Sequence, residues 1–166
     1  MKSIKHILLL ILVSSFTACG IYSFTGVTET PETFQVNFFQ NNAPLVEPGL
    51  DIQFTNALQD LIVNQTNSNL VNSGAEVIFE GEIVEYRISP TTATANNRAA
   101  QNRLTISVNV KYTNSKDDEK SFEQRFSFFF DYEGDALLTG GQRDTGWEAI
   151  FERITQDIFQ KALADW

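Results

Sequence analysis

Residues 102–132, NRLTISVNVKYTNSKDDEKSFEQRFSFFFDY, decide the fold of this chain. Apolar side chains stand at every second position over 104–112 and again over 122–132, where Gln124 is the interruption. β-Branched and aromatic residues at period two are typical of strands that bury one face. The polar segment between the two runs is short, so they are predicted to form an antiparallel hairpin.

The register of this hairpin follows from the same residues. Pairing Tyr112 with Phe122 places the apolar positions of both strands on one side of the sheet. The other side then receives two oppositely charged cross-strand pairs, Lys111 with Glu123 and Arg103 with Asp131. Such pairs help to fix a register. A hairpin cannot cover its own apolar face, so the rest of the chain must supply that cover.

Two more strands are expected outside the hairpin. Residues 34–38 alternate, with Phe38 on the apolar side. Residues 77–88 form another strand, and their apolar phase switches halfway, so a bulge is expected within 81–84. Residues 89–101 are rich in Thr, Ala and Asn without a period, which predicts a long exposed loop.

Two amphipathic helices complete the predicted domain. The first apolar stripe runs from Leu50 to Ile62 at helical spacing. The second helix is predicted to begin at Thr145, which forms a capping box with Glu148, and to run nearly to Trp166. The order β-α-β-β-β-α predicts an α+β two-layer sandwich, in which both helices pack on one face of a four-stranded, mostly antiparallel sheet.

The N-terminus predicts export. Basic residues precede an unbroken apolar run at 7–13, which is too short to span a bilayer but suits a secretory signal. The following segment, Phe16-Thr17-Ala18-Cys19-Gly20, resembles the lipobox of bacterial lipoproteins, although Phe16 stands where that pattern prefers Leu. In a lipobox the cysteine is acylated through sulfur and becomes the new first residue.

Cys19 therefore has two interpretations. In the first, residues 1–18 are a lipoprotein signal peptide, Cys19 carries lipid, residues 19–32 form a tether and 33–166 fold. In the second, an ordinary signal is cleaved nearby and leaves a free thiol. A lone cysteine in an exported chain has no disulfide partner, which favours the first interpretation.

Composition and motifs argue against several functions. The net charge of −9 argues against nucleic acid as a partner. The single histidine, His6, lies in the predicted signal, so the domain lacks an imidazole for acid–base, nucleophilic or metal chemistry. Glu80 and Glu82 share a strand face, but a solvated face explains that spacing better than catalysis does. We therefore expect no catalytic residues, no cofactor and no metal site.

The polar side of the predicted sheet is the candidate binding surface. Arg103, Lys111 and Arg125 point away from the helices and could hold phosphate or sugar groups. The alternative is that neighbouring carboxylates neutralise them and leave an ordinary wet face. Phe129 favours a contact surface, because it places a large apolar side chain on this polar side.

Nearly the whole exported part of the chain resembles the LptE family. The markers are Cys19-Gly20-Ile21-Tyr22-Ser23-Phe24, Phe38-Phe39 before Asn41, Phe79 with Gly81 and Ile83, Arg103-Leu104-Thr105-Ile106, Phe122 with Gln124 and Phe126, and the closing Ile158, Phe159 and Ala162. Their order and spacing carry the resemblance, since no single marker is specific. The fold of that family, two helices on a four-stranded sheet, agrees with the prediction above.

The resemblance implies a role that composition cannot show. It implies an outer-membrane lipoprotein, anchored through Cys19, that plugs and helps to assemble the LptD β-barrel for lipopolysaccharide export. It offers no short motif for lipopolysaccharide contact, so Arg103, Lys111, Arg125 and Phe129 stay predictions from the sheet geometry. The alternative is a free-standing periplasmic lipoprotein that binds a hydrophobic or anionic envelope ligand, which predicts an enclosed cavity.

Overall fold

The computed structural model describes residues 30–93, 99–134 and 137–164. The predicted signal peptide, Cys19 and the tether up to residue 29 lie outside these residues. The described elements are β1 (Thr33–Val36), β2 (Gln40–Asn41), α1 (Leu50–Gln65), β3 (Asn69–Leu70), β4 (Val77–Ala93), β5 (Ala99–Asn114), a 3-10 turn (Asp118–Lys120), β6 (Phe122–Tyr132) and α2 (Gly140–Leu163). In this part of the chain, no helix is long and apolar enough to cross a membrane.

The sheet has six strands in the order β3-β1-β4-β5-β6, with β2 also beside β4. The α+β class is confirmed, but the predicted count of four strands is wrong. β2 and β3 have two residues each, which is too short for a side-chain period to reveal. The two long pairings, β4 with β5 and β5 with β6, are antiparallel, while the short pairings of β1, β2 and β3 are parallel.

The central hairpin has the predicted register. Tyr112 pairs with Phe122, Lys111 with Glu123 and Arg103 with Asp131. The inward residues of β5 are almost completely buried against α1 and α2; they are Leu104, Ile106, Val108, Val110 and Tyr112. Alternation predicted these strands because one face is covered and the other is not.

β4 changes phase at a bulge, as expected. The pairing with β5 shifts between Ile83 and Glu85, so Val84 is the additional residue. Just before the bulge, a Cβ on Gly81 would collide with the backbone carbonyl of Asn109 and lie 2.8 Å from the Phe39 ring. The absence of a side chain at Gly81 therefore makes room for Phe39, which is fully buried.

Phe38 does not point into the core as predicted. It is 52% exposed, whereas Phe39 is 0% exposed. β1 ends at Val36, and the chain then shifts its phase by one residue before β2. The Phe39 N–H donates to the Thr55 hydroxyl of α1 over 3.1 Å, which holds the shifted segment against the helix.

The described parts of the predicted loop, 89–93 and 99–101, are strands of a hydrogen-bonded ribbon, and 94–98 lie outside the described residues. β4 continues to Ala93 and β5 begins at Ala99, with Ser89 paired to Arg103. A ladder of backbone hydrogen bonds needs no buried face to continue, so this segment of the two strands carried no apolar period to detect.

The predicted start of the second helix is also wrong. α2 begins at Gly140, five residues before Thr145. The Thr145 hydroxyl donates to the Gly141 carbonyl over 2.9 Å, which places Thr145 inside the helix rather than at its cap.

A chain of contacting aromatic rings crosses the core. Phe39 meets Phe54 at 5.2 Å between ring centroids, and Phe54 meets Phe151 at 5.4 Å. Phe151 then meets Trp147 at 6.2 Å, and Trp147 meets Tyr86 at 6.4 Å. The chain links the Phe39 segment, α1 and α2 to Tyr86 of β4.

Candidate partner and ligand surface

We call the helix-free side of β4, β5 and β6 the outer face. Its side chains form rows across the three strands. From the ribbon end to the turn end, the rows are Ser89–Arg103–Asp131, Arg87–Thr105–Phe129, Glu85–Ser107–Ser127, Glu82–Asn109–Arg125 and Glu80–Lys111–Glu123. All four predicted contact residues lie on this face, but in different rows.

Two of the predicted cations, Arg103 and Lys111, are too far apart for one small ligand. Arg103 and Lys111 are eight residues apart on β5. A strand rises about 3.3 Å per residue, so roughly 26 Å separates their backbones. A single phosphate group cannot contact both, whereas a large partner or an extended glycolipid can.

Arg103 and Phe129 form one cluster at the ribbon end. The guanidinium makes two bonds to Asp131, at 2.7 Å from Nε and 2.8 Å from Nη2. Its carbon also lies 3.7 Å from the centroid of the Phe129 ring, which is 42% exposed. The hydrogen bond from Arg103 lowers the pKa of Asp131. The cluster thus presents a stacked, charged and partly apolar surface to a neighbour.

Glu85 is the centre of a second cluster. Its carboxylate accepts bonds from Arg87 Nε at 2.8 Å, from Arg125 Nη2 at 2.6 Å and from the Ser107 hydroxyl at 2.8 Å. The Arg87 bond first, and the Ser107 bond next, lower the pKa of Glu85. Glu85 was not predicted as a site residue. The predicted bulge just before it is the sequence signal that could have identified it, because a bulge redirects the side chain that follows.

Lys111 belongs to a third cluster near the turn end. Its Nζ donates to Glu80 across β4 at 2.8 Å, and Glu80 raises the pKa of Lys111. The predicted partner of Lys111 was Glu123, so this ion pair differs from the prediction. Asn37 also donates to Glu80, at 3.3 Å.

Glu80 and Glu82 do share a face, at an open groove of about 400 Å³ that Phe38 also lines. Lys111 lowers the pKa of Glu80, which keeps it a carboxylate, and Glu82 accepts a bond from Asn42 at 2.6 Å. A general acid needs a raised pKa, so Glu80 does not resemble one. Among the described residues, no group of three or more acids, His or Cys could hold a metal ion.

The outer face balances its own charges. Its rows contain four basic and five acidic side chains, and Arg103, Lys111 and Arg125 each contact a carboxylate. An anionic ligand would have to displace or share those carboxylates. The arrangement therefore suits a broad polar interface better than a concentrated anion site.

The fold belongs to the class of two-layer α+β domains that expose one sheet face. Its mixed sheet carries a single layer of two helices, and its polar face is uncovered. The LptE family model, described as lipopolysaccharide-assembly, matches residues 32–162. The chain belongs to the LptE family, in agreement with the resemblance of its sequence. This membership identifies it as a lipopolysaccharide-assembly lipoprotein.

Solved structures share the fold. The hypothetical protein CT253 from Chlamydia trachomatis is 9% identical with a TM-score of 0.58, over 82% of this chain and 100% of that chain. The rare lipoprotein B from Shewanella oneidensis is 10% identical with a TM-score of 0.50, over 76% of this chain and 89% of that chain. At these identities the likeness concerns the fold alone. No curated protein matches this chain.

Proposed function

We propose that this protein is a non-catalytic subunit of the outer-membrane lipopolysaccharide translocon, where it plugs an LptD-type β-barrel and assists its assembly. The observation that carries the proposal is the family match over residues 32–162. Lipid on Cys19 would anchor the protein to the outer membrane, facing the periplasm, with 1–18 removed, 19–32 as a tether and 33–166 as the folded body.

The outer face supports this role. Large outer-membrane barrels enclose a polar, wet interior. A sheet face of alternating acids and bases, with Phe129 exposed on it and Phe38 exposed at the groove beside Glu80 and Glu82, can make polar and apolar contacts with such a wall. The proposed contacts to lipopolysaccharide come from Arg103 with Phe129 at the ribbon end, and from Arg125 and Lys111 further along.

The packing of the body is less suited to the alternative, a free carrier of an envelope ligand. Carriers enclose their ligands in apolar cavities. Around the described residues, one cavity of about 60 Å³ lies beside Thr30 and Val77, and the groove at Phe38 is open. Neither encloses space for an acyl chain.

Co-purification tests the proposal. A tagged full chain is extracted from membranes in mild detergent, with photoreactive residues at Phe129 on the outer face or at Val63, which is exposed on α1. We expect a large β-barrel protein to co-purify and to crosslink from Phe129. Val63 reports whether the helix side faces the barrel as well. Recovery of the chain alone, with no barrel crosslink from either position, would refute the translocon role.

The ligand contacts are tested separately. We expect Arg103→Gln with Phe129→Ala to reduce crosslinking of lipopolysaccharide to the complex while the barrel still co-purifies. Glu148→Gln on the exposed side of α2 is the matched control. Unchanged lipopolysaccharide crosslinking in the double variant would remove these residues from the proposed contact.

A further inference from the structure

β6 is a long open edge of the sheet. In the described part of the chain, β6 has β5 as its single neighbour, and the opposite edge is the two-residue β3. The pairing of β6 with β5 covers Phe122–Tyr132 without a register shift. β6 also contains no proline.

An edge of this kind is usually protected. An edge strand offers unpaired N–H and C=O groups to any extended chain, and soluble proteins blunt such edges with proline, bulges or short strands. Here the register shifts of the described sheet lie between β4 and β5, and the edge strand itself is regular. The charged residues of β6, Glu123, Arg125 and Asp131, all lie on the outer face, so its regular backbone and its helix side can still accept another strand.

The side chains of β6 also leave room for another strand. Phe122, Phe128 and Phe130 point to the helix side but are only partly buried, unlike the corresponding residues of β5. A neighbouring strand with apolar side chains on the same side would cover these rings. On the outer face, the charged groups of Arg125 and Asp131 already pair with Glu85 of β4 and Arg103 of β5, so the apolar side would carry the recognition of an added strand.

α2 limits what this neighbour can be. A Cβ on Gly146 would lie 3.1 Å from the Phe130 ring, and the charged groups of Arg153 and Lys161 lie 5.8 Å from the rings of Phe128 and Phe122. The order of these contacts shows that α2 runs antiparallel to β6, directly beneath it.

This position of α2 argues against a second copy whose helices would lie on the same side of the sheet. Paired strands lie about 4.8 Å apart, whereas packed helices need roughly 8–10 Å between their axes. Two copies joined edge to edge through β6 would bring their two α2 helices too close. The neighbour that fits this edge is a strand with no helix on the α2 side of the sheet.

We propose that the β6 edge binds an extended segment of a protein partner as an additional strand of the sheet. The segment has apolar residues at every second position toward α2 and polar residues between them. This inference goes beyond the plug role, because a closed barrel has no strand edge to offer. The segment would be an extended loop or tail.

A peptide probe tests this proposal on the full chain in detergent micelles. The peptide has the sequence of residues 102–112 of β5, which already complements β6 in side-chain pattern and charge. We expect it to slow the hydrogen exchange of alternate β6 amides and to leave β3 unchanged. If it leaves the β6 amides unchanged, or protects β3 instead, the proposal is wrong.

Two modified peptides distinguish strand addition from nonspecific apolar binding. One carries N-methyl groups at the positions of Ile106 and Val108, the other at those of Ser107 and Asn109. In an added strand one set of amides faces β6 and the other faces solvent. We expect one peptide to bind at least tenfold more weakly than the unmodified peptide and the other to bind like it. Equal behaviour of the two would overturn the proposal.

Discussion

At the scale of single residues, Gly81 is where two parts of the core meet. The backbone of Asn109 and the ring of Phe39 both occupy the space that a side chain would need. We expect Gly81→Ala to lower the free energy of unfolding by roughly 1–3 kcal/mol, because overpacking forces backbone and rings to shift. Thermal or urea unfolding measures the loss.

The matched control is Gly141→Ala. Gly141 lies in the first turn of α2, and a Cβ there has no heavy atom within 4 Å. We expect this variant to unfold like the original protein or slightly later. Equal stability of the two alanine variants would contradict the close approach at Gly81.

Glu85 gives the outer face a dependence on pH. Its bonds to Arg87, Ser107 and Arg125 hold its pKa below the ordinary value of 4.5. A lowered folded pKa contributes stability above the unfolded pKa, and that stability is lost as the pH falls through the folded value. We expect Glu85→Gln to cost about 1 kcal/mol at pH 7 and to flatten the loss of stability below pH 4.5.

Urea unfolding at a series of pH values measures this effect. Glu148→Gln, on the exposed side of α2, should leave the acid-induced loss of stability in place. If Glu85→Gln kept the full acid dependence of the original protein, Glu85 would not be its source.

At the scale of elements, a deletion can test whether β4 needs its bulge. Deleting Val84 keeps Ile83 inward, Glu85 outward and Tyr86 inward, so the existing pairs with β5 can be retained. Deleting Ser127 from the regular β6 moves half of its aromatic row to the outer face. We expect the first variant to unfold cooperatively at a reduced temperature.

The second variant should lose its cooperative transition, since a slip of one residue exposes the apolar row. Circular dichroism during heating compares the two deletions. If the Val84 deletion also abolished the cooperative transition, the sheet would need the bulge, and Val84 would not be an extra residue that β4 merely accommodates.

The elements that the sequence predicted are those with one buried face. Apolar periodicity in the sequence predicted the hairpin, α1 and the bulge of β4. β2 and β3 depend on backbone pairing with distant residues, and the paired segments 89–93 and 99–101 carry no apolar alternation, so none of them leaves a local pattern. The start of α2 was missed because a threonine inside a helix resembles a cap in sequence.

The candidate site shows the same limit. Alternation was enough to place Arg103, Lys111, Arg125 and Phe129 on the outer face, and the hairpin register was enough to pair Arg103 with Asp131. The partners of Lys111 and Arg125 come from β4. Their identity depends on a bulge and a strand register that the sequence of the hairpin does not contain.

At the scale of the whole molecule, the anchor and the fold should be separable. We expect Cys19→Ser to release the protein from membranes, because each buried methylene of an acyl chain contributes about 0.8 kcal/mol. Residue 19 precedes the described body, which begins at residue 30, so the unfolding temperature of that body should not change. Membrane fractionation and intact-mass spectrometry check both the release and the lipid.

Ser23→Ala is the control for the anchor, since it alters the same segment and leaves the thiol in place. It should remain in the membrane fraction. A membrane-bound Cys19→Ser protein, or an unmodified thiol in the original protein, would remove the anchor from the proposed function.

The chain of rings from Phe39 to Tyr86 has a consequence for motion. Each ring contacts at least one ring from a different element of the fold. Neither helix can therefore separate from the sheet without breaking ring contacts of the other helix. Within the described residues the two helices are therefore coupled through these rings, and we expect the loss of any one ring to loosen the packing of both helices.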